Sequence, residues 1–256
     1  MRSRTTFLLA LSGALIGAFF FVDPIPQDPS YHAFADTRPM LGIPNFWNVA
    51  SNIPFLLVGG AGLYTLASGK SAGMLPDLSP AYAVFFAGIV LTGVGSAYYH
   101  YSPTDSTLVW DRLSMTIGFM GLFTIIVGEH VSRTAARRLL IPLLVVGAAS
   151  VVYWSVTEER GSGDLRPYAI VQFLPMLLIP LILLMYRSVF GSVTFLWVVI
   201  LLYAFSKLFE YFDAAVFGFG ELISGHSLKH IVAAMAPLAV LHGLNSRRPF
   251  DEVARS

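Results

Sequence analysis

Two pairs of polar residues are spaced four apart in an otherwise apolar sequence: Ser96 with His100, and His226 with His230. In an α-helix, residues four apart lie on one face and are separated by about 6 Å along the axis. Asp111 follows the first pair after a short connection. Three imidazoles from two helices would suit a tetrahedral zinc ion with one open position, where water can be activated. Asp111 would then be a candidate base, and Ser96 a candidate donor to developing negative charge.

Composition limits the chemistry that these residues can support. The 256-residue chain contains no cysteine, which excludes a thiolate metal site, a cysteine nucleophile and a disulfide framework. Hydrophobic residues make up 55% and charged residues 12% of the chain, whereas soluble domains carry roughly 25% charged residues. A net charge of +1 excludes a strongly basic nucleic-acid-binding protein, and the aromatic, apolar composition excludes a disordered chain. The composition therefore predicts an integral membrane protein.

Eight apolar segments approach or exceed the length of about 20 residues that a membrane-spanning helix needs. They are approximately residues 7–22, 46–68, 81–100, 107–129, 139–156, 168–187, 193–217 and 224–244. Short connections join them, which predicts one all-α bundle with a seven-helix core and one N-terminal helix. The predicted divisions are an N-terminal transmembrane helix or signal anchor at 1–22, an extracytoplasmic loop at 23–45, the seven-helix core at 46–245 and a cytoplasmic tail at 246–256.

Basic residues outside these segments are distributed asymmetrically between the two sides. One side collects Arg2, Arg4, Lys70, Arg133, Arg137, Arg138, Arg187, Arg247, Arg248 and Arg255. The other side carries only Arg38, Arg160 and Arg166. Because basic loops stay in the cytoplasm, both chain termini are predicted to be cytoplasmic. In this topology the five polar residues described above meet at the same, non-cytoplasmic depth.

The first apolar segment allows two interpretations. Arg2 and Arg4 followed by an apolar run resemble a signal peptide. However, the run ends in Phe-Phe-Phe-Val-Asp-Pro without a small-residue cleavage site, which favours an uncleaved helix. Cleavage would leave seven segments in the same orientation.

Other interpretations of the histidines are possible. A single intramembrane histidine is often a hydrogen-bonded core residue, and one HxxxH pair can arise by chance. Proton translocation could use the same residue types, but a transporter would show paired half-helices and polar groups spread across the membrane. Ionisable groups that converge at one depth instead favour a functional site. His32, His130 and His242 do not share this pattern and are interpreted as loop or helix-end residues.

Five further polar positions have weaker patterns. Asn48 and Asn52 are four apart at the start of the second segment, where they could support the metal ligands, contact a headgroup or only form interhelical hydrogen bonds. Asp213, towards the outer end of the seventh segment, could reach the site. Lys207 and Glu210 are three apart and are predicted to form a structural ion pair.

An ordered set of motifs resembles the alkaline ceramidase family. The motifs are Phe-Trp-Asn at 46–48 followed by Ser51-Asn52, Gly-Ser-Ala-Tyr-Tyr-His at 95–100, Leu-Val-Trp-Asp at 108–111 and Gly-His-Ser-Leu-Lys-His at 225–230. The resemblance extends from about Asn45 to His242. The family is part of a wider superfamily of seven-helix hydrolases that includes the adiponectin and progestin receptors and the GPI-remodelling lipases.

This resemblance implies both a fold and a reaction. It implies a seven-helix core in which His100, His226 and His230 hold zinc, with Ser96 and Asp111 beside the metal or in catalysis. The implied reaction is hydrolysis of the amide of ceramide, or of a related N-acyl lipid, to a sphingoid base and a fatty acid. A lipase or esterase acting on another lipid, and a receptor-like lipid-binding protein with little hydrolysis, are the alternatives. The sequence does not indicate an oligomeric state.

The chain also departs from the eukaryotic members of the family. Those members have an acidic, calcium-binding cluster that includes a Glu directly before Phe-Trp-Asn, and here that position is Asn45. Asp23, Asp28 and Asp36 could offer oxygen ligands, but the sequence does not favour calcium. Residues 31–38 resemble the loop of bacterial members, which implies a bacterial inner membrane with the site near the periplasmic side. In a eukaryotic cell the equivalent place would be the lumenal side of the ER or Golgi membrane.

Overall fold

The computed structural model describes residues 2–69 and 73–248. Within these ranges there are helices and connecting loops but no β-strand. The α-helices are α1 Arg2–Phe19, α2 Phe46–Ala50, α3 Ile53–Ala67, α4 Ser79–Tyr101, α5 Asp105–His130, α6 Arg133–Glu159, α7 Arg166–Met185, α8 Thr194–Tyr211, α9 Asp213–Gly218 and α10 Gly225–Ser246. Lys70, Arg255 and most of the expected cytoplasmic tail lie outside the described residues.

Seven helical units of the described chain are long and apolar enough to cross a membrane. The first combines α2 and α3, and the others are centred on α4, α5, α6, α7, α8 and α10. The prediction of an all-α bundle with a seven-helix core is therefore confirmed. Seven such units indicate an integral, multi-pass membrane protein.

The N-terminal segment forms α1, a shorter apolar helix that packs along α7. At one end, the Arg4 guanidinium donates to the carbonyl of Met185, the last residue of α7. At the other end, Arg166 in the first turn of α7 donates from Nη1 to the Val22 carbonyl at 2.6 Å. Because its two ends are tied to opposite ends of α7, α1 runs antiparallel along the whole length of a membrane-spanning helix.

The central helix is α5. Of its most apolar stretch of 18 residues, 72% is buried inside the bundle. Small residues allow α4 to approach it closely. A Cβ atom added at Gly88 would lie 2.5 Å from the backbone nitrogen of Gly118, and one added at Gly121 would lie 2.8 Å from that of Phe85. Membrane helices gain van der Waals contact when small residues let their backbones meet. This contact sets the relative positions of the two helices that carry His100 and Asp111.

The helices alternate in direction, so their ends collect in two layers. The start of α2, the end of α4 and the starts of α5 and α10 form one layer, called here the site end. Residues 23–45, called here the cap, lie over this layer. Within the cap, the Asp36 carbonyl accepts from Asn48 Nδ2 at 2.9 Å, and the Ile25 carbonyl accepts from the Leu165 amide at 2.8 Å.

The opposite layer is held together by a buried ion pair. Arg247, which follows α10, donates from Nη1 to Glu129 of α5 at 2.8 Å, and the two side chains are 2% and 1% exposed. Tyr82 of α4 donates its hydroxyl to the same carboxylate. Removing one partner of such a group would leave a buried charge uncompensated. The cluster therefore joins α4, α5 and the end of α10 on the side away from the site.

Two predicted segments are interrupted in the structure. The segment at 46–68 breaks at Ser51 and Asn52, and Pro54, which has no amide hydrogen, lies in the first turn of α3. The segment at 193–217 breaks at Phe212, between α8 and α9. Both breaks lie at the site end. At these breaks the backbone leaves the regular helix, so the residues beside them can make contacts with other elements.

Candidate metal centre and active site

Three buried histidines meet at the site end. His100 lies in the last turn of α4, and His226 and His230 lie in the first turns of α10. Their exposed fractions are 0%, 5% and 4%, respectively. Their candidate ligand atoms all lie within 4.8 Å of one another, and the Nε2 atoms of His226 and His100 are 3.3 Å apart. Among the described residues, this group is the one cluster of histidine and acidic side chains close enough to bind a metal ion.

The geometry and the donor type fit zinc. With Zn–N bonds of about 2.0–2.1 Å and tetrahedral angles, two ligand nitrogens would lie about 3.3 Å apart. The His100–His226 separation has this value. Uncharged imidazoles suit zinc, whereas calcium and magnesium prefer oxygen ligands. A three-histidine set also leaves a fourth coordination position open.

The orientation of His230 is fixed by a residue at the break between α2 and α3. The Ser51 hydroxyl and His230 Nδ1 are 2.8 Å apart, and both side chains are buried. This contact leaves Nε2 of His230 as the nitrogen available to a metal. Metal-binding histidines commonly use their second nitrogen in this way, because the contact fixes the ring and its tautomer.

The asparagines of the first core helix differ in their contacts. Asn48 is fully buried, and its Oδ1 accepts from the Ser227 hydroxyl at 2.8 Å, next to His226 on α10. Its Nδ2 donates to the cap, so Asn48 joins α2, α10 and the cap. Asn52 Nδ2 donates to the Asn48 carbonyl at 2.8 Å, and no other described residue hydrogen-bonds to Asn52 Oδ1. The structure therefore places Asn48 against the histidine helix and Asn52 behind Asn48.

Asp213 positions the start of the histidine helix. Its Oδ1 accepts from the His226 backbone amide at 2.7 Å, and its Oδ2 accepts from the Ala35 amide of the cap at 2.9 Å. A carboxylate at a helix N-terminus satisfies a free amide and interacts favourably with the helix dipole. Gly225 permits this approach, since a Cβ atom there would overlap the Phe209 carbonyl of α8. Asp213 thus holds the histidine helix, α8 and the cap together.

Ser96 and Asp111 face each other between α4 and α5. They are 2% and 8% exposed, and their side chains lie close to each other. Gly95 makes this possible, because a Cβ atom there would lie 2.6 Å from the Trp110 carbonyl. A carboxyl group and a hydroxyl group are thereby brought to one place from two helices.

A cavity of about 370 Å³ opens beside these groups. Ser96, Asp111 and His230 all line it, so the histidine cluster, through His230, and the predicted catalytic residues face a common space. The deeper wall is apolar and includes Phe55, Phe85, Ile89, Phe119, Leu122 and Met176. Such a cavity suits a molecule with a polar end and an alkyl chain.

The cap covers the histidines with an aromatic ring. The Phe34 ring lies 4.7 Å from that of His100 and 4.6 Å from that of His226, and Phe34 is 8% exposed. His32 anchors the same segment: its Nδ1 lies 2.8 Å from the Tyr99 hydroxyl and its Nε2 lies 3.1 Å from Asp105. His32 is therefore a loop residue that holds the cap to α4 and α5. Phe34 separates the histidines from the aqueous side.

The acidic residues of the cap make contacts within the cap. Asp36 is 1% exposed and forms a two-point ion pair with Arg38, through Nε at 2.8 Å and Nη2 at 2.7 Å. Hydrogen bonds from the Arg38 guanidinium hold the pKa of the Asp36 carboxyl below its usual value. Asp28 accepts from the Ser30 amide at 2.8 Å, which lowers its pKa. These contacts explain both carboxylates as parts of the cap's own structure.

The predicted ion pair on α8 is confirmed and has a third member. Lys207 and Glu210 are in contact at 2.5 Å, and Lys229 of α10 donates to the other oxygen of Glu210 at 2.9 Å. All three side chains line the cavity. The group ties α8 to the histidine helix and places two ammonium groups around one carboxylate.

Sequence reasoning missed Ser51 and Phe34. Ser51 lies one residue before Asn52 and does not share the four-residue spacing of the asparagines, so periodicity alone could not select it. Phe34 lies in a loop, where neither a helical period nor a motif indicates a side chain's direction. For Ser51, the available signals were the density of polar residues around 45–52 and its place in the Ser51-Asn52 motif.

Comparison with known proteins bears on the same region of the chain. A protein-family model described as Ceramidase matches residues 41–210. This range includes Ser96, His100 and Asp111 and covers more than half of the chain, while His226 and His230 lie beyond it. A comparison with curated proteins finds no match.

Proposed function

The chain belongs to the ceramidase family, and from this premise we propose that it is a zinc-dependent hydrolase that cleaves the amide bond of ceramide, or of a related N-acyl lipid, within the membrane. The observation that carries the proposal is a cluster of three converging imidazoles, one of which, that of His230, lines a cavity together with the Asp111 carboxyl group and the Ser96 hydroxyl group. His100, His226 and His230 would hold the metal.

The cavity supports a lipid substrate. Its deeper wall is formed by apolar and aromatic side chains from the helices that cross the membrane. An amide lipid could keep its alkyl chains in this apolar part while its polar end meets Ser96 and Asp111. Moving the alkyl chains from the lipid bilayer to an apolar cavity changes their free energy little, because both surroundings exclude water. The substrate therefore need not enter water.

The residues around the cavity supply the proton transfers that amide hydrolysis requires. Zinc, when bound, supplies a Lewis acid that polarises a carbonyl group and lowers the pKa of water. Asp111 accepts the proton of the attacking water and donates it to the leaving amine nitrogen, which returns the carboxylate to its starting state. Ser96 orients that carboxylate and offers a hydroxyl donor to the oxygen that gains negative charge. The cap restricts entry of bulk water from the aqueous side.

The orientation of the protein follows from the same layers. We place the site end and the cap on the extracytoplasmic side, because the basic residues concentrate at the opposite layer. In a bacterial cell this is the periplasmic side of the inner membrane. Residues 1–22 would span the membrane once, and the chain beyond 246 would lie in the cytoplasm.

The proposal is tested by incubating the purified protein in nanodiscs with a ceramide, an N-acyl amide and a phospholipid ester. We expect release of fatty acid from the amides, loss of activity with a chelator and recovery when zinc is restored. His242, near the far end of α10, offers a matched control: His242→Ala should retain activity that His226→Ala loses. Ester cleavage without amide cleavage would contradict the proposed reaction, and so would binding of the lipids without hydrolysis.

A further inference from the structure

A buried arginine in the cavity wall has no counter-ion within the part of the chain that the structure describes. Arg112 follows Asp111 on α5, is 5% exposed and lines the cavity. Its guanidinium lies 4.0 Å from the centre of the Trp154 ring and 4.9 Å from that of Tyr168. Aromatic faces attract a cation and hold the planar group in place. They do not neutralise its charge.

The hydrogen bonds of Arg112 are incomplete. Nη2 donates to Gln27 Oε1 at 2.6 Å, whereas Nη1 is buried and has no hydrogen-bond partner among the described residues. Within the described ranges, no carboxylate lies within 4.0 Å of this guanidinium. Arg38, Arg166 and Arg247 each have a carboxylate partner. A buried, unpaired cation is costly, so a group that binds to Arg112 would recover part of that cost.

The other charged side chains of the cavity wall do not compensate the positive charge of Arg112. Lys207 and Lys229 share the single carboxylate of Glu210. Together with Arg112 and Asp111, the wall carries three cationic side chains and two carboxylates. The opposite part of the wall is apolar. The cavity is therefore suited to an amphiphile with an anionic end and an alkyl chain.

We propose that Arg112 is a specificity-determining residue that binds an anionic group, carboxylate or phosphate, on the headgroup of the lipid amide that the protein hydrolyses. This proposal rests on the proposed function and narrows its substrate class. The planar guanidinium is held by Gln27 and lies over the Trp154 ring, and its Nη1 is a donor without a partner among the described residues. Charge-assisted hydrogen bonds from arginine to these anions are among the stronger ones in proteins.

A binding experiment tests the anion site independently of hydrolysis. Dodecyl phosphate, dodecanoate and dodecanol are titrated into the protein in a neutral detergent, and binding is followed by tryptophan fluorescence, to which Trp154 contributes. We expect the phosphate and the carboxylate to bind about tenfold to a hundredfold more tightly than the alcohol. Arg112→Gln should remove this difference. Arg166→Gln changes an arginine at the same end of the bundle but outside the cavity lining, and it should preserve the difference.

A second experiment identifies the source of the anion. Three amides are compared: a ceramide with a free hydroxyl, its 1-phosphate and an N-acyl amino acid with a free carboxylate. We expect kcat/KM to be about tenfold higher for the charged amides, mainly through KM, and Arg112→Gln to remove the preference while cleavage of the neutral ceramide persists. Arg112→Lys should restore part of the preference, because it keeps the charge without the planar fork.

The outcomes separate this proposal from the proposed function. Cleavage of neutral ceramide with no preference for charged amides would overturn the anion site and leave the amidase proposal standing. Arg112-dependent binding of anions without any amide cleavage would support the anion site and overturn the amidase proposal. Tight binding of dodecanoate with no preference among the amides would assign Arg112 to the fatty-acid product and overturn its role in substrate choice. If Arg112→Gln does not fold, the proposal is tested by whether the unaltered protein prefers charged amides to the neutral ceramide.

Discussion

Each histidine of the candidate metal centre is positioned by a different kind of contact. Ser51 contacts Nδ1 of His230, and Asp213 holds the backbone amide of His226. Among the described residues, His100 Nδ1 has no hydrogen-bond partner, and the His100 ring packs against the Phe34 ring. The three histidines are therefore positioned by one side-chain hydrogen bond, one contact to a helix-start amide and one aromatic contact. Single substitutions can test each contact separately.

Replacing Ser51 with Ala should weaken metal binding without removing a ligand. Loss of the contact to His230 Nδ1 frees the ring and its tautomer, and such losses typically reduce metal affinity about 10- to 100-fold. Competition with a chelator of known affinity measures the change. Ser150→Ala is the control, since Ser150 is also buried but bonds only to a carbonyl of its own helix. Equal zinc affinity in both variants would show that Ser51 does not orient His230.

Replacing Asp111 with Asn should separate catalysis from metal binding. The amide cannot accept the proton of water, so we expect kcat to fall about 10²- to 10⁴-fold. Zinc content should not change, because Asp111 is not one of the converging ligands. Asp105→Asn on the same helix is the control, since that carboxylate is half exposed and contacts His32. Full activity in Asp111→Asn would remove its role as the base.

Among the larger elements, the cap has the most direct effect on the site. It contacts α2, α4, α5 and the start of α9, and its Phe34 ring lies over two of the histidines. A loop with these contacts behaves as a fixed cover as long as its internal ion pair and its anchors persist. The rate at which water and chelators reach the histidines should therefore depend on the cap.

Phe34→Ala should make the metal centre more accessible. Without the ring over His100 and His226, we expect zinc loss to an excess of chelator to be about tenfold faster. Phe21→Ala is a matched control, because Phe21 precedes the cap and is 93% exposed. Stopped-flow measurement with a coloured chelator gives both rates. An unchanged rate in Phe34→Ala would mean that the metal leaves by another route.

The cap should loosen in acid. The pKa of Asp36 is lowered by its hydrogen bonds to Arg38, so the pair contributes stability above the unfolded aspartate pKa of about 3.9. That contribution is lost as the pH falls through the lower pKa of the folded state. Hydrogen-exchange protection of the cap should therefore be constant near neutral pH and decrease below about pH 4.

Asp36→Asn supplies the comparison for this pH dependence. Its cap should already be less protected at pH 6, because the ion pair is absent at every pH. Asp164→Asn removes a similar pair with Arg166, outside the cap, and should leave the protection of the cap unchanged. Identical protection of the cap at pH 6 in Asp36→Asn and the unaltered protein would show that the pair does not hold it.

At the scale of the whole molecule, alternating helix direction brings the site together. Apolar length and the positions of the charges were enough to predict seven core helices and a common end for His100, Asp111 and His226. The contributions of Ser51 and Asp213 depend on the helix breaks beside them, which no hydrophobic period indicates. Phe34 depends on the conformation of a loop. The convergence of the three histidines could thus be predicted from the sequence, whereas the contacts that Ser51, Asp213 and Phe34 make with them required coordinates.

The two layers of the bundle also have different tasks. The layer opposite the site is joined by the buried Glu129–Arg247 ion pair and contains no predicted catalytic group. The site end contains the two helix breaks, the cap and the converging histidines. The stability of the opposite layer offsets the cost of the buried polar groups at the site end. The hydrogen bonds of those groups position the site residues.

The most direct test is the metal content of the purified protein, measured by mass spectrometry together with protein concentration. We expect one zinc ion per chain in the unaltered protein and in His242→Ala, and almost none in His226→Ala or in His226→Ala combined with His230→Ala. Circular dichroism should show that all four proteins remain helical. Zinc that persists after both ligand substitutions, or an unaltered and active protein that contains no metal, would contradict the assignment of the three histidines as the metal centre.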